Sequence, residues 1–326
     1  MSLTTLPTPP APPDPPAPPD PYAPPPTPAP GRPVGHRLLP DRPQLIGAAL
    51  AITAALLFGL LLDLGPLGGL RHLRDHETGY ADLRATLATG TTAIGQLDKD
   101  GRPVVPGTPV ALLEIPQLGL REVVREGTTG GVLESGPGHR RDTPMPGQAG
   151  TSVLLGRQAG FGGPFGALRN LRTGETFTVT TGQGSRHFRV IAVRRAGDPV
   201  PAPLRAGWSR LVLITGDGPL YAPSGTLLVD ADLLDAADTE DDVLPANPRP
   251  LTADALPAAE RAMGTDGGAW VPLVLWGEAL LLAALALAVG WMRWGRVQSW
   301  AVGVPVLAVL GLAVADQVAQ LLPNLI

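Results

Sequence analysis

The sequence predicts a mainly β protein: a closed or nearly closed barrel of about seven to eight strands over residues 109–233, joined to three transmembrane α-helices. Two patterns predict it. The stretches 45–62, 271–292 and 297–322 are apolar and almost free of charge over the length that a bilayer core demands. Between the first and second, short apolar runs alternate with Gly and Pro, which is how short strands are punctuated. Composition agrees, since 44% of residues are hydrophobic but only 4% aromatic, so the apolar content is largely Ala, Leu and Val. That mixture suits membrane helices plus a small β-rich core.

Taken in order, residues 1–43 hold roughly 18 of the 39 prolines. Such a segment cannot bury a core and reads as a disordered, polyproline-like spacer. Leu45–Leu62, LIGAALAITAALLFGLLL, is uncharged throughout, and no small-residue cleavage site follows it, so it reads as an uncleaved anchor. The stretches 271–292 and 297–322 carry one acid each, Glu278 and Asp316, and flank the basic turn Arg293-Trp294-Gly295-Arg296. They read as a helical hairpin. Arg32, Arg37 and Arg42 before the first span, and Arg293 and Arg296 in the turn, put both of those sides in the cytoplasm. Residues 64–269 and the short segment after 322 are then exported. Glu278 and Asp316 are costly in hydrocarbon; they read as partner-helix contacts or a proton site, or as acids reaching toward the outer headgroups.

The exported part begins with a stalk, 66–108, in which Leu70, Leu73, Tyr80, Leu83 and Leu87 recur at helical spacing. His72, His76 and Glu77 have a spacing that a metal would need, but one such trio on a charged helix reads as a solvated face, and no metal or cofactor is expected. Residues 234–269, rich in Ala, Pro and Asp, read as a linker back to the membrane. A net charge of −4 gives no reason to expect a nucleic-acid partner.

In the middle, Ala111–Ile115, Arg121–Val124, Thr151–Leu155, Thr176–Thr180, His187–Val193, Arg210–Thr215 and Thr226–Ala231 all read as strands. Thr176–Thr180 alternates strictly, and Thr181-Gly182-Gln183-Gly184 turns it into a hairpin with His187–Val193. Five pieces then match a known pattern in order. These are Leu113–Leu120 (LEIPQLGL), Gly136–His139 with Thr143–Gly147 (GPGH…TPMPG), Gly156–Phe165 (GRQAGFGGPF), Leu168–Thr180 (LRNLRTGETFTVT) and Leu211–Thr215 (LVLIT). The arrangement resembles the sortases, membrane-anchored cysteine transpeptidases of bacterial cell surfaces.

The resemblance implies a sortase-like barrel in a multi-pass bacterial membrane protein. It also implies chemistry that this chain lacks. The family uses a Cys nucleophile, a His acid or base and an Arg that stabilises the oxyanion, and each role needs its own residue type. The chain contains no cysteine. By the matched motifs the Cys position is Gly216, the His position Arg157 and the Arg position Thr226. Arg157, Thr215, Asp217, His139 and Arg210 remain as candidates for a cleft. Arg157 and Asp217 either line a groove or pair with each other. The resemblance therefore implies a non-catalytic protein that binds or scaffolds a surface protein, a sorting-type peptide or an envelope glycan. Two alternatives stand beside it. One is a hydrolase or transpeptidase of altered, non-cysteine chemistry using His139, Asp142 and Ser152, or Asp217. The other is a structural subunit assembled through the C-terminal hairpin.

Overall fold

The computed structural model describes residues 42–98, 100–234, 243–247, 251–294 and 296–326. The Pro-rich segment expected at 1–43 lies almost wholly outside these residues, as do 235–242 and 248–250 of the 234–269 linker and Lys99.

Eight strands close a barrel in the order β1-β2-β3-β4-β7-β8-β6-β5. They are β1 (Pro109–Ile115), β2 (Leu120–Glu126), β3 (Gly138–His139), β4 (Gly150–Leu155), β5 (Thr176–Thr181), β6 (Gly184–Arg195), β7 (Ser209–Asp217) and β8 (Gly225–Leu233). β2–β3 and β4–β7 are parallel pairs and the others antiparallel. Closure removes the exposed edges that an open sheet of this size would carry. The alternation in β5 has its physical basis here: Phe177 and Val179 turn inward and are buried, while Thr176 is exposed. The β5–β6 hairpin turns at Gly182-Gln183, with Thr181 paired to Gly184, and Gly184 takes a φ of +107° that a side chain would resist. The seven expected strands are all present; β3 is the addition, a two-residue strand that completes the ring between β2 and β4.

Long helices flank the barrel. α1 (Arg42–Leu62) runs through a π-helical turn, Asp63–Leu67, into α2 (Gly68–Thr89), which ends on left-handed Gly90. Short α3 (Gly130–Glu134) starts on Thr129, whose hydroxyl accepts a bond from the Val132 amide. α4 (Trp270–Trp294) and α5 (Arg296–Leu321) form the hairpin. The chain divides into two units, Met1–Ala48 and Ala49–Ile326; the described part of the first is the opening of α1, and the barrel with α2 to α5 belongs to the second. Three helical runs, within 52–89, 267–290 and 297–321, are long and apolar enough to cross a membrane.

The stalk helix is a packed element. Leu83 is buried between Leu112 and Val123 on the outside of β1 and β2, with Tyr80 and Leu87 at the margin. Leu70 and Leu73, of the same spacing series, stay exposed, while His72, Asp75 and His76 of the same half of α2 meet β2. His72 and His76 do not form a solvated face with Glu77. Both contact Glu122 of β2, at 3.1 and 3.5 Å, and these two contacts hold its carboxyl below the usual range against the opposing effect of burial. Asp316 of α5 pairs with Arg71 of α2 at 3.0 Å, and Arg71 also reaches fully buried Asp63; the acid is a contact within the chain. Glu278 is exposed on α4.

The described parts of the expected linker are built into the fold. Leu244 bridges to Gln148, Gln96 bonds Leu251, and Glu260 is buried against Arg141. An Ala/Pro-rich composition signals poor secondary structure, and that is what it forms here: single 3-10 turns that pack without a regular element.

Candidate functional site

β7 is buried on both faces, and its alternation sorts them. Leu211 and Leu213 point into the barrel core, whereas Val212 and Ile214 point outward. β4 runs parallel beside it, with Val153 opposite Val212 and Leu155 opposite Ile214. These four side chains and Leu133 of α3 make an apolar floor on the outer wall of the barrel. Gly216 follows on the same outward side, and across the ladder it faces Thr226 of β8.

The loop after β4 supplies the polar wall. Arg157 is fully buried. Its guanidinium donates to the Gly130 carbonyl at 2.9 Å, lies 3.5 Å from Glu134 and sits 4.6 Å above the Phe161 ring. Phe161 is held at a φ of +53°, and its amide donates to the Leu64 carbonyl, so the loop is tied to the α1–α2 turn. Burial lowers the Arg157 pKa to about 10, against the pull of Glu134 and Asp63, and raises Glu134 to about 7, against the pull of Arg157. For both partners, loss of water outweighs the attraction between them. Gln158 donates from its side chain to the Gly218 carbonyl.

The space at Gly216 is filled. A Cβ built there would lie 2.9 Å from the Gln158 side-chain oxygen, 2.9 Å from Pro223 and 3.0 Å from the main-chain oxygen of Leu325. Leu325 itself is fully buried on the apolar floor.

Residues 113–233, nearly the whole barrel, match the family model for a sortase domain. The barrel is a sortase domain. Among solved structures similar to it are a Clostridium perfringens sortase D5 transpeptidase (19% identity, 50% of this chain, 98% of that one, TM-score 0.40) and Streptomyces coelicolor sortase E1 with a tripeptide in its active site (23%, 39% and 89%, TM-score 0.34). Another is Actinomyces oris sortase C-1 (25%, 47% and 98%, TM-score 0.34). Among curated proteins none matches the chain.

The sortase domain brings Gly216, Thr226 and Arg157 to one end of its outer wall. It does not bring the other candidates there. Thr215 shares the inward side of β7 with Leu211 and Leu213, and its hydroxyl is buried. Asp217 pairs with Arg195 of β6 at 2.8 Å, not with Arg157. Arg210 lies at the far end of β7, six residues from Gly216 and so about 20 Å away, in a two-pronged ion pair with Asp232. His139 is buried with Nδ1 on Glu126 at 2.9 Å and Nε2 on the Pro144 carbonyl at 3.0 Å. Burial works to lower its pKa, but Glu126 prevails and raises it. The serine arrangement does not assemble either: Asp142 is held by Arg140, and Ser152 is fully buried with its hydroxyl unbonded among the described residues.

Sequence reasoning did not find Gln158, Glu134 or Leu325. Gln158 had the signal of adjacency to Arg157. Glu134 and Leu325 reach the wall only through tertiary packing.

Proposed function

We propose that this is a membrane-anchored sortase-domain protein without transpeptidase activity, which binds an extended peptide of a surface protein on the outer wall of β4 and β7. The observation that carries the reading is the filled space at Gly216, in a chain with no cysteine. Covalent transfer by the family route needs a sulfur there and a proton carrier beside it. The residue at the matched proton-carrier position, Arg157, keeps its charge at neutral pH and is committed to Gly130 and Glu134. An apolar floor with main-chain donors and one cation at its rim suits an extended peptide, whose carbonyls need donors and whose side chains need burial. A glycan, with many hydroxyls and little apolar area, fits it less well. The three helices anchor the domain at the membrane, and we place the barrel on the extracytoplasmic side from the arginine distribution.

The test is photocrosslinking of the full chain in its own membrane, with a photoreactive residue replacing Gln158. Adducts should carry a surface protein or peptide, and none should be an acyl ester of the chain. Joining of two peptides by the purified chain alone would overturn the reading.

A further inference from the structure

The groove on the outer wall is already occupied. Beyond α5 the chain turns at Pro323, and Asn324, Leu325 and Ile326 are all buried against the barrel. Each makes a different kind of contact. The Asn324 carboxamide donates to three main-chain carbonyls, Thr128 at 2.8 Å, Arg261 at 3.0 Å and Ala259 at 3.3 Å, while its amide donates to the Gly264 carbonyl at 2.9 Å. The Leu325 side chain lies on the floor of Leu133, Val153, Leu155, Val212 and Ile214. Its carbonyl accepts from the Gln158 amide at 2.9 Å. The Ile326 main-chain oxygen lies 3.5 Å from the Arg157 guanidinium.

We propose that Asn324–Ile326 is a built-in occupant of a peptide site, whose external ligand is an extended peptide presenting a carboxamide side chain, then an apolar side chain, then a carbonyl beside Arg157. This rests on the reading of the outer wall as a peptide receptor. A segment that merely covered apolar surface would need the Leu325 contact and little else. Three convergent carbonyls form a pocket of acceptors that only a donor satisfies, so a carboxamide is taken and a carboxylate is repelled. The bonds from Gln158 and Arg157 read main chain and are indifferent to side chain. The selective elements are thus the carbonyl pocket and the apolar floor. They come from three separate stretches of the chain, around Thr128, around Gly264 and along β4–β7, which the fold converges on one tripeptide. The occupant follows directly on α5, the helix fastened to α2 through Asp316 and Arg71. An external peptide must displace this segment to enter.

The cysteine-free chain permits a direct test. In the full chain in nanodiscs, Gly160→Cys and Ile326→Cys are introduced together; a Cβ at Gly160 would lie 3.2 Å from the Ile326 main-chain oxygen. A short bismaleimide, which needs only proximity of the two thiols, should crosslink them, and adding Asn324→Asp should cut that yield several-fold. In parallel, a fluorescein-labelled, acetylated and amidated Leu-Pro-Asn-Leu-Ile peptide is titrated against the cysteine-free chain and its Asn324→Asp form. The released form should bind at least tenfold more tightly, and an Asp-for-Asn version of the peptide should not bind. Leu325→Ala, read the same way, serves if Asn324→Asp does not fold. Absence of the crosslink in folded protein overturns the built-in occupant, and peptide binding by the unaltered chain would then leave the receptor reading intact. A strong crosslink with no peptide binding to any form overturns both.

Discussion

Gly216→Cys would return a sulfur to the position where the family's chemistry requires one, and the surroundings say what it would meet. The new Cβ falls 2.9 Å from the Gln158 oxygen, 2.9 Å from Pro223 and 3.0 Å from the Leu325 carbonyl. All three are held while Asn324–Ile326 is seated. The Gln158 side chain is tied to Gly218, Pro223 is a ring, and the Leu325 carbonyl is held by the Gln158 amide. Overpacking of this kind costs about 1–3 kcal/mol, which lowers the melting temperature by roughly 2–10 °C for a protein of this size. The thiol would also lack an activating base, since Arg157 cannot accept its proton. The assay is thermal unfolding of the full chain in nanodiscs by tryptophan fluorescence, with intact mass after incubation with sorting-type peptides. We expect a lower melting temperature and no added acyl mass. An unchanged melting temperature would refute the packing argument, and a thioester on Cys at 216 would refute the chemical one.

Two further outcomes follow from buried charge. Glu134 ionises near 4.5 when unfolded and at about 7 when folded, so the folded state holds the extra proton between those values. Stability should fall as pH rises from about 4.5 to about 7, by roughly 3 kcal/mol for this group, and urea denaturation of Glu134→Gln should show a flatter pH profile. His139 adds to the same trend, because its raised pKa gives stability that is complete below 6.5 and lost as pH rises through the folded value. His139→Ala leaves the Glu126 carboxyl buried without its partner, and denaturation should register a loss of about 3–5 kcal/mol; a loss below 1 kcal/mol would mean that water reaches the site.

The strands were legible because their side chains answer to one local rule. Phe177 and Val179 alternate with threonines, and the barrel needed nothing more to announce β5. β3 escaped because Gly138-His139 is too short to carry a period; it exists only because β2 and β4 lie on either side of it. The three long apolar helices were visible from composition, and the matched motifs singled out Gly216, Thr226 and Arg157 by position, without saying what surrounds them. Thr215 and Asp217 flank Gly216 in sequence, yet strand geometry turns them to the opposite face. Arg157 drew attention as a cation, but its burial depends on Gly130, Glu134 and Phe161, which no spacing rule connects. The contact of Asn324 with Thr128 spans 196 residues and leaves no trace in local pattern.

The run from α1 through the π-helical turn into α2 contains no loop, and Leu83 clamps its far half to β1 and β2. A domain on a supple leash sweeps a wide volume and can fish for targets well away from its root. One joined without a loop to the 22 residues of α2, about 33 Å of helix, and gripped along its side keeps a fixed heading relative to that helix. If α1 is seated in a bilayer, whatever meets the outer wall would have to arrive at one height and from one direction, and geometry would screen partners before any pocket does.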